Sequence, residues 1–357
     1  MKSPRILVIS LAGIGDTLMS TPLLHELRAN FPKAKIDVLV MWKGSKEILE
    51  NNPYVNEVIQ FNMLKKGFWK SLFLCLKLRR KKYDISINTF PQSKIHYRVV
   101  AWLIGGKERI SHKYENFTFL DKFLVTEAIP FSYHKHCIEN NLELLKCLGK
   151  RALMKKHQYE IFIPKSEIEK AKKVFKKKKI YIGIHIGSGK TKNLSLRRWP
   201  LKYYSVLISK IGKIKNVEFL LFGGKEEESD YQKLASDFEN VKIVKTKHIL
   251  ETAAMLKFCK IFLSVDTLLM HLAACVNVPK QLVIETPTFN ETVAPYGRDY
   301  ILIKNPLVHG RNLEFYRYDG KGIKASKKEI IKIMESVKPE DVAKELTKVI
   351  KSLEKER

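Results

Sequence analysis

The sequence predicts an α/β protein built from two doubly wound, Rossmann-like domains in tandem. Apolar runs of strand length alternate with amphipathic segments of helical length, an order typical of parallel sheets. At 357 residues the chain exceeds what one hydrophobic core usually supports. The alternation also occurs as two separate series, with a lysine-rich stretch at residues 149–156 between them. We therefore expect one domain over residues 1–155 and a second over residues 156–357.

The expected elements of the first series begin with a strand at 6–10 and a helix to about residue 30, which Pro22 should bend. Further strands of this series are expected at 35–40, 57–61, 84–89 and 108–110, with a helix near 136–147. Ligands of such sheets bind at the carboxyl ends of strands, so the two domains are expected to face each other across a cleft.

The second series is expected to open with a short extended piece and a helix near 166–175. Its strands are expected at 180–186, 218–222, 242–244, 261–265 and 281–284. Two final helices, near 327–335 and 339–355, complete the second domain or pack back on the first.

The charge balance indicates polyanionic partners. Sixty-six Lys and Arg residues against 37 Asp and Glu residues give a net charge of +29, which attracts nucleic acid, anionic membrane or phosphorylated glycolipid alike. The sequence has no helix-turn-helix, zinc-finger or RNP-type motif, so we expect no specific nucleic-acid partner.

Cysteine spacing and hydropathy predict a cytoplasmic protein. The five cysteines form no Cys-x-x-Cys pair and lie in apolar contexts typical of reduced core thiols. No apolar run approaches the roughly 18 residues of a membrane span, and the N-terminus leads directly into a strand rather than a signal peptide. At most, we expect a peripheral position at the inner face of the cytoplasmic membrane.

The most informative stretch is residues 263–274, where an apolar strand runs into Asp266-Thr267 and a helix that carries His271. A helix N-terminus offers unpaired N–H groups and partial positive charge to a phosphate, and Asp266 can accept hydrogen bonds from sugar hydroxyls. Two plainer interpretations stay open here, with Asp266 as a helix cap and His271 as a buried core histidine.

Two glycine-rich turns follow strands without completing a known nucleotide motif. The turn Gly13-Ile14-Gly15-Asp16 has Leu18 where the dinucleotide fingerprint needs glycine. The turn that begins at Gly187-Ser188 resembles a P-loop, but the first glycine of that pattern falls on Ile184. A turn suited to phosphate remains the expectation for the second of these.

Five motifs in register resemble glycosyltransferase family 9, the ADP-heptose:lipopolysaccharide heptosyltransferases. They are the first turn with Asp16, the strand 83–88, Gly187-Ser188 leading to Arg197-Arg198-Trp199-Pro200, Asp266-Thr267 with its helix, and Thr286-Pro287-Thr288 with Pro295-Tyr296-Gly297. The resemblance implies a GT-B fold with an acceptor-side first domain and a donor-binding second domain.

The resemblance also implies roles for single residues. Asp16 takes the position of the general base, with helix capping as the alternative, and Gly13 and Gly15 line the acceptor side. Gly187 and Ser188 hold phosphate, and Arg197 stands where the family has a phosphate-binding lysine, with Lys190 and Lys192 as rival contacts. Either Glu226 or Glu227 binds the ribose, unless both complement a helix N-terminus. The remaining donor-side residues are Asp266, Thr267, Leu268 and His271.

The expected activity is inverting, metal-independent transfer of a heptose-like sugar from ADP-heptose or another nucleotide diphosphate sugar to a phosphorylated, lipid-linked lipopolysaccharide core or related glycan. No Asp-x-Asp and no metal-ligand spacing occur, and no cofactor is expected. Two family glycines are absent, at Leu268 and Thr286. They motivate an alternative, a GT-B protein that binds nucleotide or glycan without heptosyl transfer.

A membrane contact is the last expectation. Phe68-Trp69 and Arg79-Arg80-Lys81-Lys82 flank an apolar helix, which is either a crossover helix packed on the sheet or a peripheral contact with an anionic membrane. Any such binding is expected to be electrostatic rather than inserted.

Overall fold

The chain forms two compact α/β units, of which the first ends at Phe162 and the second begins at Ile163. The computed structural model describes residues 3–176, 178–188, 195–312 and 325–355. In these ranges no helix is both long enough and apolar enough to cross a membrane.

The first unit is built on a parallel six-stranded sheet with the order β3-β2-β1-β4-β5-β6. Its strands are β1 (Arg5–Ser10), β2 (Lys35–Val40), β3 (Glu57–Gln60), β4 (Ile85–Asn88), β5 (Glu108–Lys113) and β6 (Glu127–Pro130). The strands β1 and β4 lie side by side at the centre and are almost fully buried, as expected when helices cover both faces of a parallel sheet.

The helices of the first unit follow these strands in alternation. They are α1 (Ile14–Met19), α2 (Thr21–Asn30), α3 (Lys43–Leu49), α4 (Met63–Lys66), α5 (Phe68–Arg79), α6 (Ile95–Ile104), α7 (Phe119–Leu124) and α8 (Cys137–Glu143), which continues as a 3₁₀ turn at Leu144–Leu148. The bend expected at Pro22 is present, because the helical segment divides at Ser20 into α1 and α2.

The second unit repeats the design with the strand order β12-β11-β10-β7-β8-β9, again fully parallel. Its strands are β7 (Ile180–His185), β8 (Val217–Leu221), β9 (Val241–Ile243), β10 (Ile261–Ser264), β11 (Lys280–Ile284) and β12 (Tyr300–Ile303). Its helices are α9 (Lys165–Lys172), α10 (Leu201–Ile211), α11 (Glu228–Asp237), α12 (Ile249–Leu256), α13 (Leu268–Cys275), α14 (Lys327–Ser336) and α15 (Pro339–Lys355).

The last helix completes the core of the second unit. In α15 the buried side chains Val342, Leu346, Val349 and Ile350 recur at helical spacing. They join the cluster of buried residues around Trp199 and Tyr204, and α15 packs against α10.

The expected strands all exist within one or two residues of their bounds, except that β5 runs three residues further. The sequence analysis did not find β6 and β12. Both are edge strands of four residues with largely half-buried side chains, so neither shows the continuous apolar run that marked the central strands.

A buried carboxylate holds the segment after residue 150 on the first unit. Glu26 of α2 accepts hydrogen bonds from the backbone N–H groups of Leu153 and Met154, both at 2.8 Å, and lies 2.8 Å from Nε2 of His157. Thr21 Oγ1 accepts the N–H of Glu160 at 2.9 Å. These contacts place the division of the chain seven residues beyond the expected boundary at residue 155.

We predict that Glu26→Ala lowers the free energy of unfolding of the first unit by about 3 kcal/mol at pH 7, because it leaves two buried N–H groups without acceptors. Burial raises the pKa of Glu26, but the Leu153 amide, the His157 ring and the Met154 amide outweigh burial and hold it below its usual value. A carboxylate with a lowered pKa stabilises the fold above its unfolded-state pKa and loses that effect as the pH falls through the folded-state pKa.

Urea unfolding of wild type and variant at pH 7 and below pH 4 measures this contribution. The difference between the two proteins should shrink in acid, and the exposed Glu169→Ala serves as the matched control with little effect. A difference that stays constant with pH would contradict a role for the charged form of Glu26.

Candidate active site

Each unit has one place where the order of its strands reverses. In the second unit the chain proceeds from β7 outward through β8 and β9, then returns to β10 on the other side of β7. In the first unit the same reversal lies between β1 and β4. Loops diverge at such a point and leave a crevice at the carboxyl ends of the two strands, where open α/β sheets bind ligands.

The crevice of the second unit begins at His185 and Ser264, which are paired residues at the ends of β7 and β10. A Cβ on Gly187 would lie 2.5 Å from a carboxylate oxygen of Glu227 and 2.7 Å from Nε2 of His185. Any larger residue at this position would therefore have to displace the Glu227 carboxylate and the His185 ring. Ser188, next in the chain, is buried, so the turn is held close against its neighbours.

Arg197 and Asp266, which we expected as separate donor contacts, form one ion pair in this crevice. Nη1 of Arg197 donates to Oδ2 of Asp266 at 3.1 Å and also to Oγ1 of Thr288, beyond the end of β11. Burial raises the pKa of Asp266, and the Arg197 guanidinium offsets part of that rise. In the described part of the chain, the buried Nε–H of Arg197 has no hydrogen-bond partner.

Arg198 forms a second ion pair on the other side of the turn. One of its Nη atoms donates to Glu227 Oε1 at 2.6 Å and to the carbonyl of Ser188 at 3.0 Å. The other carboxylate oxygen of Glu227 accepts the N–H of Gly224 at 3.1 Å. Arg198 thus links the turn to the segment after β8, whereas Arg197 links its own loop to the segments after β10 and β11.

The loop that carries both arginines is anchored in the core. Trp199 is buried, and its indole N–H donates to the carbonyl of Val337 at 2.9 Å. Pro200 then forms the N-cap position of α10. Because the anchor follows directly, Arg197 and Arg198 are presented from a fixed backbone.

The start of α13 supplies backbone N–H groups at the same place. Thr267 is the N-cap residue, its hydroxyl lies 3.0 Å from Nδ1 of His185, and within the described residues it forms no capping hydrogen bond to the helix. Burial together with the Arg198 charge lowers the pKa of His185 to about 3, so this ring is neutral.

Two residues at the start of α13, both expected as donor contacts, differ in exposure. Leu268 is half-buried. His271 is 4% exposed, and burial lowers its pKa to about 4. His271 is therefore neutral near pH 7 and can offer a neutral N–H or a lone pair, but no positive charge.

Other expected residues divide into three groups. Glu227 belongs to the crevice through Arg198, whereas Glu226 is exposed. Lys190 and Lys192 lie outside the described residues. Thr286, in place of a family glycine, is buried with its hydroxyl 3.2 Å from that of Thr288, so its side chain supports the hydroxyl that binds Arg197.

Asp16 lies at the reversal point of the first unit. It occupies the third position of α1 and accepts the N–H of Gly13 at 2.6 Å, so the capping interpretation holds. The side chain is nevertheless half-buried rather than enclosed, and its charge adds to burial in raising the pKa of Tyr97. Gly13 and Gly15 are also half-buried at this loop.

Sequence reasoning did not assign His185, Arg198, Thr288 or Tyr97 to the site. His185 ends an apolar strand and Thr288 lies within a quoted motif, so both carried a positional signal. Which of Arg197 and Arg198 contacts Asp266 depends on the register of the loop before Trp199, and sequence spacing alone does not give that register.

Comparison with known proteins gives the family. Residues 72–316 match the family model described as glycosyltransferase family 9 (heptosyltransferase). The chain is 25% identical over 283 residues to lipopolysaccharide heptosyltransferase 3 of Escherichia coli, which covers 74% of this chain and 78% of that one.

Two solved structures share the fold at 19% identity. The ADP-heptose lps heptosyltransferase II of E. coli has a TM-score of 0.73, covering 98% of this chain and 99% of that one. The E. coli heptosyltransferase WaaC with ADP-2-deoxy-2-fluoro heptose has a TM-score of 0.71, covering 96% and 99%. Since the family model matches well over half of the chain and both parallel sheets follow these folds, the protein is a GT-B glycosyltransferase that belongs to family 9, the heptosyltransferases.

Proposed function

We propose that this protein transfers a heptose-like sugar from ADP-heptose to a phosphorylated, lipid-linked glycan of the lipopolysaccharide core type, with inversion at the anomeric carbon. The observation that carries the proposal is the buried Arg197 held between Asp266 and Thr288, beside the N-terminus of α13. A fixed guanidinium beside an uncapped helix start is suited to a diphosphate.

The choice of donor and acceptor class follows the relatives. Solved heptosyltransferases of the same fold contain ADP or an ADP-heptose analogue, and the similar E. coli protein acts on lipopolysaccharide by its name. In this chain the buried Glu227 and the half-buried Asp266 supply carboxylate acceptors for ribose and sugar hydroxyls. We assign Glu227 rather than the exposed Glu226 to the ribose.

Charge on the departing diphosphate is neutralised, in this proposal, without a divalent cation. Arg197 contributes a full positive charge and α13 the partial charge of its first N–H groups. The hydroxyl of Ser188 and the N–H of Gly187 lie on the same turn and complete the set of donors.

Asp16 is the proposed general base. Inverting transfer needs one carboxylate that accepts the proton of the acceptor hydroxyl as this oxygen attacks the anomeric carbon, while the electron pair of the breaking bond leaves with the diphosphate. Capping and catalysis are compatible here, since a carboxylate accepts several hydrogen bonds and capping by Gly13 N–H fixes its orientation.

A nucleotide-sugar screen tests the donor. At about 100 times its dissociation constant, the true donor should stabilise the protein by about 2.7 kcal/mol, seen as a raised Tm, while sugars with other bases should not. Turnover by the stabilising donor separates the enzyme from a binder that has lost transfer.

Leu268 adds a second arm to this screen. Because its half-buried side chain lies at the helix start where the family has glycine, Leu268→Gly should raise the rate with ADP-heptose at least several-fold. Efficient wild-type turnover of ADP-heptose that the substitution leaves unchanged would remove Leu268 from sugar selection.

We predict that Asp16→Asn keeps donor affinity and lowers kcat by about 10²–10⁴, the usual contribution of a general base. The amide oxygen can still accept the Gly13 N–H, so the fold should be retained. Initial rates give kcat and KM, and Glu329→Gln, a carboxylate at the same capping position of α14, is the matched control. A wild-type rate in Asp16→Asn would eliminate this base.

We predict that Arg197→Ala raises the dissociation constant of ADP about 10- to 100-fold, because a charge-assisted hydrogen bond to a phosphate contributes about 1.5–3 kcal/mol. Titration calorimetry measures the affinity, and melting without ligand measures stability. Adding Asp266→Asn removes the carboxylate that the single variant leaves unpaired, and should recover stability but not affinity. A larger loss from Lys190→Ala or Lys192→Ala would move the diphosphate contact to those residues.

A further inference from the structure

Four helices of the first unit expose large apolar side chains to solvent. Phe68 and Trp69 on α5 are 70% and 76% exposed, and Phe119 on α7 is 68% exposed. Leu64 on α4, Phe73 and Leu76 on α5, Ile95 and Trp102 on α6, and Leu120 and Phe123 on α7 are also exposed. We call these ten residues the apolar patch. Contiguous exposure of this kind marks an interaction surface.

The patch is one surface, because its helices are neighbours. The helix α4 packs against α5, α5 against α6, and α6 against α7. On α5, residues 68, 69, 72, 73 and 76 share one side at helical spacing, while Cys75 and Leu78 face the core on the other. A crossover helix that packs on the sheet explains the buried apolar face of α5, but it does not explain the exposed one.

A buried ion pair fixes the outermost helix of the patch. Arg98 of α6 contacts Asp121 of α7 at 2.5 Å, and both side chains are 1% exposed. Asp121 also accepts the N–H and the hydroxyl of Thr118, and it is the single buried residue of α7. Polar contacts thus hold α7 in place, while Phe119 and Phe123, in edge-to-face contact, remain outside.

The exposed charges on the four helices of the patch have one sign. The four helices contain one acidic residue, the buried Asp121, so none of them exposes an acidic side chain. The exposed lysines on or next to these helices are Lys65, Lys66, Lys70, Lys77, Lys94 and Lys122. An apolar surface with a basic border complements an anionic bilayer, whose acyl chains and headgroups meet both parts.

We propose that the apolar patch inserts into the interfacial region of a bilayer that contains anionic phospholipid, and so docks the first unit on the membrane. The inference is independent of the proposed activity. It differs from the electrostatic contact expected from the sequence, because the exposed aromatic side chains supply an apolar contribution that salt does not screen.

The helix starts that carry Leu64, Ile95 and Phe119 lie at the edge of the sheet that carries Asp16. The helices α4, α6 and α7 follow the carboxyl ends of β3, β4 and β5, and Asp16 follows the carboxyl end of β1. Because the strands are parallel, these ends share one edge. Docking through the patch thereby brings that edge of the first unit toward the lipid surface.

Flotation with vesicles of phosphatidylcholine and phosphatidylglycerol tests the proposal. Wild type should stay bound when NaCl is raised from about 0.1 to about 0.5 M. Trp69→Ser/Phe73→Ser should lower the partition coefficient about tenfold or more at both salt concentrations, because two aromatic side chains no longer leave water. Lys65→Gln/Lys70→Gln should weaken binding mainly at low salt.

Intrinsic fluorescence gives a second readout that does not depend on a loss of binding. Of the four tryptophans, Trp69 and Trp102 lie in the patch, Trp199 is buried, and Trp42 is half-buried. Vesicles with brominated acyl chains should quench wild type. They should no longer quench Trp69→Phe/Trp102→Phe, which should still bind.

The control is Val174→Ser/Ile331→Ser, which replaces two exposed apolar residues outside the patch and should bind as wild type does. Failure of wild type to bind, equal binding by Trp69→Ser/Phe73→Ser, or quenching that persists without Trp69 and Trp102 would each overturn the proposal. A wild-type dimer that does not bind vesicles and that Trp69→Ser/Phe73→Ser dissociates would also overturn the proposal, since the patch would then join copies of this chain.

Discussion

The contact between Arg197 and Asp266 is the interaction on which the arrangement of the crevice in the second unit depends. Removing both ions from water costs several kcal/mol each, and their attraction repays this only with good geometry and further hydrogen bonds. Here Thr288 supplies one such bond, and Trp199 holds the loop from behind. Arg197 links the segments after β10 and β11 through Asp266 and Thr288. Thr267, the residue after Asp266, contacts His185 at the end of β7, so the ends of three neighbouring strands are connected.

Such a pair prepares a site without filling it. A nucleotide diphosphate that meets Arg197 would find a guanidinium already desolvated and oriented, with an unused Nε–H, so little reorganisation is needed on binding. The first unit reaches a similar rigidity by other means. There a buried hydroxyl network of Ser10, Thr17 and Ser45 supports α1 behind Asp16, and no full charge has to be buried for that purpose.

The fold could be predicted from the sequence wherever a strand is buried on both faces, because such a strand has a continuous apolar run. The central strands β1, β4, β7 and β10 were located on that basis, whereas their order in the sheets, which sets the reversal points, comes from the structure. The edge strands β6 and β12 could not be found, because half-exposed strands of four residues lack that pattern. The carboxylate that pairs with each arginine could not be predicted from the sequence either, since it depends on the register of the loop before Trp199.

Residues of the candidate site show the same limit. Gly187 and Asp266 stand where strand-to-helix junctions place them, and spacing was enough to single them out. That Asp266 would be the partner of Arg197, or that burial would leave His271 uncharged, follows only from three-dimensional packing. The exposure of Phe68 and Trp69 is a related case, since a helical apolar stripe does not show which of two faces meets the core.

The chain of hydroxyls behind Arg197 has an evolutionary consequence. The family resemblance places lysine at position 197 and glycine at position 286, and this protein departs from both. In the structure the two departures touch through one atom, because Thr286 contacts the Thr288 hydroxyl that accepts from Arg197. Substitutions that share a partner are not additive. We therefore expect the effect of a substitution at position 197 to depend on the residue at position 286. A lineage that gained the arginine would then retain it more readily once threonine had replaced the glycine.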